Sequence, residues 1–231
     1  MPVGILVISV LFMLIGLAVQ ARLKSKFATY SKVATGSGLS GKEIAEKMLH
    51  ENGIYDVSVV SVQGFLSDHY DPTKKTVNLS PDVYAGRNVA AAAVAAHECG
   101  HAIQHATSYS MLKLRSALVP VVQISSNLAQ WVILIGLGLF TVGGGNQIVL
   151  LIGIILFAAS TLFSVITLPV EFDASSRALK WLGSTHLMAP AEHEKAKDAL
   201  KWAALTYVVA ALASIAMLVH YILLYQSRSQ D

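Results

Sequence analysis

The run IVLLIGIILFAASTLFSVITLPV, residues 148–170, carries no charged side chain and is followed at once by EFDASSRALK, residues 171–180. A helix needs about 20 apolar residues to cross the hydrocarbon core of a bilayer. The run therefore reads as a transmembrane span with a carboxylate, Glu171, set at its end. Residues 3–21 and 117–142 form two more uncharged runs, and residues 202–225 a fourth, interrupted only by His220. Composition agrees: 54% of the chain is hydrophobic, only 13% is charged, and the mean hydropathy is +0.57. A soluble domain carries about twice that charged share, so much of this surface must face lipid. The expected class is a mainly α, polytopic cell-membrane protein with four transmembrane helices in the lipid bilayer and a small polar portion.

Two features qualify the spans. Gln123, Ser125, Ser126, Asn127 and Gln130 weaken the first half of the second span, and suit a helix whose near end faces protein or a water-filled cleft. Trp131, Trp202, Tyr207, Tyr221 and Tyr225 are candidate interface anchors. Basic residues set the orientation. Arg22, Lys24, Lys26 and Lys32 follow the first span, and Arg177, Lys180, Lys195, Lys197 and Lys201 fall between the third and fourth. The hairpin Gly143, Gly144, Gly145, Asn146 and Gln147 has no charge. By the positive-inside rule the N-terminus lies outside, residues 22–116 and 171–201 are cytoplasmic, and the hairpin is outside. The first run lacks a basic n-region and exceeds a usual signal h-region, which favours a retained span over a cleaved signal. A net charge of +3, thinly spread, gives no nucleic-acid footprint. A single cysteine, Cys99, rules out an intramolecular disulfide.

The polar segments read as a small α+β portion with a short sheet. Residues 40–53 suit an amphipathic helix, with Ser40 as cap, Glu43 completing a capping box and Gly53 as stop. Residues 57–62 and 75–79 have strand composition, and Asp68, His69, Tyr70, Asp71 and Pro72 between them suit a turn. Residues 88–107 are an alanine-rich helical run whose small side chains permit close packing.

That run contains His97-Glu98-Cys99-Gly100-His101, an H-E-x-x-H sequence. The spacing of four stacks both imidazoles on one helical face, where they can share a zinc ion (Zn2+). Glu98, about 100° round the helix from His97, is placed to act as general base toward a water activated by the metal. A catalytic zinc needs a third protein ligand. Glu171 is favoured, because a carboxylate at a span end is costly without a partner and lies on the same side as the motif. Asp173 is its neighbour and competitor. His105 is a weaker candidate, since the next helical turn carries it away from the metal. Arg177, six residues after Glu171, is a candidate oxyanion stabiliser, as is His69 with Tyr70 from the preceding turn. Tyr207 suits an interface anchor better than a catalytic phenol.

The strings Asp68-His69-Tyr70-Asp71-Pro72, then Ala95–His105 around the zinc sequence, then Leu168-Pro169-Val170-Glu171-Phe172-Asp173-Ala174-Ser175, together resemble the YugP-type neutral zinc metallopeptidases of bacterial membranes. More distantly the layout is similar to the membrane gluzincins, among them the CAAX prenyl endopeptidase and the heat-shock membrane protease. There a strand precedes the zinc helix and a later Glu within E-x-x-A-D completes the site. The resemblance implies a gluzincin-like fold forming one membrane-embedded domain over residues 1–231, with His97, His101 and Glu171 as ligands and Glu98 as base. Ser175 stands where an Asp would be expected to orient a zinc histidine. The implied function is hydrolysis of peptide bonds in membrane-associated or unfolded polypeptide substrates at the cytoplasmic side, with the strand around Val77 offering an edge for pairing. A zinc-binding scaffold without turnover and a site-2-type intramembrane protease are the alternatives. An intact Glu98 speaks against the first, and a weakly apolar zinc helix against the second.

Overall fold

A computed structural model of the protein describes residues 2–64, 67–139 and 145–228. Ten elements follow in order: helices α1 (Pro2–Tyr30) and α2 (Gly41–Glu51), strands β1 (Ser58–Ser61), β2 (His69–Asp71) and β3 (Thr76–Leu79), then helices α3 (Pro81–Tyr84), α4 (Val89–Ala106), α5 (Ser110–Gly136), α6 (Gln147–Ser184) and α7 (Pro190–Arg228). Four helices, α1, α5, α6 and α7, are long and apolar enough to cross a membrane. The chain divides into two compact units, one of residues 1–18, 114–168 and 206–231, the other of residues 19–113 and 169–205.

The first unit holds the apolar helical stretches. Gly136 lets α5 meet α6 closely, because a Cβ there would stand 2.5 Å from the Leu150 backbone. Ile133, Leu150 and Ile154 pack in that seam, flanked by Phe157, Leu218 and Tyr221. The Arg228 guanidinium donates to the carbonyls of Gly136 and Leu137 at 3.2 and 3.1 Å, closing the orphan carbonyl end of α5. The α5 helix ends at Gly136 and turns through residues 137–139, earlier than the expected end at Val142. Glycines release the chain there, and the hairpin residues Gly143 and Gly144 lie outside the described residues. Asn146 caps α6, its Oδ1 accepting from the Ile148 and Val149 amides at 2.9 and 3.1 Å. Of the polar residues of α5 expected to face protein or a water-filled cleft, Ser125 is buried against protein, and Gln123, Ser126, Asn127 and Gln130 are exposed.

In the second unit, α2 begins with the expected capping box: the Glu43 amide donates to Ser40 Oγ and the Ser40 amide to Glu43 Oε2. Its apolar stripe of Ile44, Ala45, Met48 and Leu49 is buried in one core with Val77, Leu79 and the alanines of α4. The sheet has order β1-β3-β2, with β1 parallel and β2 antiparallel to β3. Val77 is thus on the central strand, and the edge pairing expected of it is taken up within the sheet.

Residues 68–72 are a strand and its exit rather than a turn. The half-buried Asp68 carboxylate accepts from the Ser80 amide at 2.7 Å and the Ser80 hydroxyl at 3.1 Å, clasping the chain against the far end of β3. The reversal shifts onward to Asp71, whose Oδ1 accepts from the Thr73 and Lys74 amides at 2.9 and 3.0 Å. An aspartate bonding its own backbone two residues on is sufficient to start a turn.

Candidate metal centre

The zinc-motif helix is built for close approach. Asn88 caps α4 by accepting from the Ala91 amide at 2.9 Å. Ala90 to Ala93, Ala95 and Ala96 are all buried, so small side chains fill the helix's inner face. Gly100, inside the motif, is where α4 meets α6: a Cβ would lie 2.5 Å from the Ala174 carbonyl oxygen. This contact brings Glu171 on α6 against the two histidines on α4.

The ligand atoms of His97, His101 and Glu171 all lie within 4.8 Å of one another. Glu171 Oε2 stands 3.3 Å from His97 Nε2 and 3.6 Å from His101 Nε2. Tetrahedral ligands held at about 2.0–2.2 Å from zinc stand roughly 3.3 Å apart, so the two carboxylate–imidazole distances match the edges of such a site. The charge of the pocket also fits a cation. Glu98 and Glu171 are both buried, 8% and 3% exposed, and two carboxylates out of water need positive charge between them. Burial pushes the Glu98 carboxyl above the ordinary range, Glu171 and Asp68 add to that, and the two imidazoles pull against it. The His101 imidazole is held above its ordinary value although burial opposes its charge, because Glu171 and Glu98 surround it.

Behind the histidines lies a support that orients them. Gln104, fully buried on α4, donates from Nε2 to the Val170 carbonyl at 2.7 Å and to Asp173 Oδ2 at 2.8 Å. Both of its protons are thereby used, and its Oε1, 3.0 Å from His101 Nδ1, must accept. The proton of His101 therefore sits on Nδ1, and Nε2 presents its lone pair toward His97 and Glu171. Asp173 is itself held by Arg177 Nε at 2.6 Å. His97 has a different partner, Ser175 Oγ at 3.1 Å from Nδ1.

The candidates from sequence thus separate. His97, His101 and Glu171 converge, with Glu98 buried on the same helix. Asp173 does not join the cluster but turns to Gln104 and Arg177. Arg177, a candidate for the oxyanion, is paired with Asp173 and lies over the Tyr109 ring, 5.8 Å from its centroid. His105 points elsewhere, its Nδ1 2.9 Å from the Tyr70 hydroxyl. His69 is exposed on β2, with Nδ1 2.8 Å from the Ser67 carbonyl. Sequence reasoning missed Gln104 and Gly100. Gln104 follows His101 by three residues, on the same helical face, which was the available signal. The role of Gly100 depends on a helix distant in sequence, and no local signal shows it.

A protein of Bacillus subtilis (strain 168) named "Putative membrane protease YugP" is 44% identical to this chain over 206 residues, covering 89% of each. No solved structure matches the chain. Four helices fit to cross a bilayer and a relative named as a membrane protease make this a membrane protein. Residues 5–226, which include the histidines, both glutamates and their supports, match one family throughout, and the chain belongs to that family, described as "Putative neutral zinc metallopeptidase".

Proposed function

We propose that the chain is a membrane-bound zinc endopeptidase of gluzincin type, in which His97, His101 and Glu171 hold the metal and Glu98 is the general base. The observation that carries this is the convergence of two imidazole Nε2 atoms on one buried carboxylate oxygen at 3.3 and 3.6 Å, with a second buried carboxylate on the same helix as the histidines. Zinc held there would supply Lewis acidity, lowering the pKa of water to about 7 and polarising a carbonyl. Glu98 takes the proton of the attacking water and delivers it to the leaving amine. Burial suits it to that task, because a carboxyl with raised proton affinity is a stronger base near neutral pH. Gln104 and Ser175 keep the imidazoles aimed. The exposed strand edge nearest the motif helix is β2, and an extended substrate pairs there in place of β3.

The substrates proposed are membrane-associated or unfolded polypeptides, cut at the cytoplasmic side. Supporting that sidedness, Gly4 packs against His220 and Arg228 against Gly136. The starts of α1 and ends of α5 and α7 thus share one end of their unit, as four alternating spans require. Basic residues cluster at the opposite ends of the spans. The test uses protein purified in lipid nanodiscs, with zinc content and cleavage of an unfolded fluorogenic polypeptide as readouts. Wild type should hold about one zinc and cleave, as a three-ligand catalytic site does, whereas Glu98→Gln should hold zinc and lose nearly all cleavage. Undiminished activity in Glu98→Gln overturns the role of Glu98. Zinc without cleavage in the wild type leaves a metal-binding scaffold.

A further inference from the structure

Within the first unit, α5 has three sectors around its axis. Ser125, Ala129, Ile133 and Gly136 are buried. Val121, Ile124, Leu128 and Ile135 are exposed and apolar, a surface for lipid. Ser116, Gln123, Ser126, Asn127 and Gln130 form a third sector, exposed and polar. At about 100° per residue, these five fall within roughly 100° of arc. Asn127 gives one proton to the Gln123 carbonyl of its own helix at 3.0 Å, which leaves its carbonyl and a second proton to be met. Pro120, inside the helix, has no N–H to offer the Ser116 carbonyl on this same side. Three side-chain amides thus face outward within the expected span, where nothing in hydrocarbon can bond them.

We infer that this face is a contact with the α5 helix of a second copy of the chain, so that the protein is a symmetric dimer in the bilayer. Three features select that occupant. An amide carries donor and acceptor together, so a stripe of amides complements itself across a two-fold axis, where each residue meets the same surface on its partner. Ser116, Gln123 and Gln130 recur at intervals of seven, with Ser126 and Asn127 between. That repeat keeps one seam facing a like helix in left-handed packing. Ser116 and Ser126, on this face, are small and exposed, permitting the close helix approach typical of membrane interfaces. The inference does not depend on the metal centre or on peptidase activity.

Cysteine cross-linking in native membranes tests it. Native Cys99 is fully buried, so wild type should give no product and serves as the control. Gln123→Cys, Asn127→Cys and Gln130→Cys should cross-link to chains of twice the mass. Val121→Cys and Leu128→Cys, on the lipid sector, should do so about tenfold less or not at all. In nanodiscs the wild type should have the mass of two chains, and the triple variant Gln123→Leu, Asn127→Leu, Gln130→Leu that of one, with zinc content unchanged. A triple variant that fails to fold leaves the cross-linking pattern to decide. A monomeric wild type, or cross-links spread evenly around the helix, overturns the inference. So does a water-filled cleft, seen as labelling of the same cysteines by a membrane-impermeant maleimide without cross-links. Cross-links only to another polypeptide make the face a docking site for that partner and overturn it equally.

Discussion

Replacing Gln104 by methionine should loosen zinc without emptying the space the side chain fills. Methionine is similar in length and adaptable in packing, so the change removes hydrogen bonds and leaves little cavity. Three contacts disappear: those to the Val170 carbonyl, to Asp173 and from His101 Nδ1. Asp173 keeps Arg177, so the consequential loss is at His101. With Nδ1 facing a thioether, the imidazole no longer prefers the tautomer that leaves Nε2 bare, and holding the ion strands a buried N–H. One unsatisfied buried donor costs about 1–3 kcal/mol. Loss of an outer partner of a metal histidine weakens affinity about 10- to 100-fold, equivalent to roughly 1.4–2.7 kcal/mol. The two estimates overlap. Zinc affinity by competition with a chromogenic chelator reads the effect, and circular dichroism confirms that the helices persist. Gln104→Met with affinity within about threefold of wild type, inside the scatter of a single weak contact, would refute the assignment of Gln104 as the group that orients His101.

Further outcomes follow from the same contacts. Gly100→Ala places a Cβ against the Ala174 carbonyl, so α4 and α6 must part. Zinc content should fall sharply and the thermal midpoint should drop, with an overpacking cost of about 1–3 kcal/mol; full zinc retention would show that α6 does not set the ligand spacing. Ser175→Asp should tighten zinc, and Ser175→Ala weaken it, by up to about tenfold each in chelator competition, because a carboxylate holds an imidazole Nδ1–H more firmly than a hydroxyl. Asp68→Ala should lower thermal stability by about 1–3 kcal/mol through the stranded Ser80 amide, and an unchanged midpoint would dismiss the clasp that makes residues 69–71 a strand.

Much of the fold was legible because it follows from local chemistry. The span count, the α2 capping box and the α4 limits rest on hydropathy runs and cap residues that act over one or two turns. The errors lie where a distant residue decides. Asp68 looked like the first residue of a turn, yet its carboxylate is claimed by Ser80, twelve residues on, and the turn begins at Asp71. Residues 75–79 looked like an available edge, and β1 and β2 take both of its sides. The cluster of His97, His101 and Glu171 was legible for a related reason: the two histidines are set by helical spacing, and Glu171 stands out as a carboxylate directly after a span.

The residues supporting those ligands were not legible, and the departure at Ser175 shows why. The resemblance to gluzincins leads one to expect a carboxylate at 175, orienting the first histidine. Here that position holds a hydroxyl, which can donate or accept, so it does not by itself dictate the tautomer of His97. The nearby carboxylate on α6 is Asp173, two residues earlier and so about 200° away around the helix. From there its Oδ2 accepts from both Gln104 and Arg177. Each link permits one direction only. Arg177 can only donate, the ionised Asp173 can only accept, Gln104 must then spend its protons on Asp173 and Val170, and its oxygen must accept from His101. The firm orientation has thus moved from the first histidine to the second. Arg177, which as an isolated cation after Glu171 suggests an oxyanion partner, is bonded to Asp173 at the far end of this chain. Arg177→Leu should therefore lower zinc affinity in the same sense as Gln104→Met, and by less, because Asp173 remains to receive the amide. An oxyanion role predicts the opposite division: zinc affinity unchanged, and turnover lost by about 100-fold or more. Measuring both quantities on the one variant decides between them.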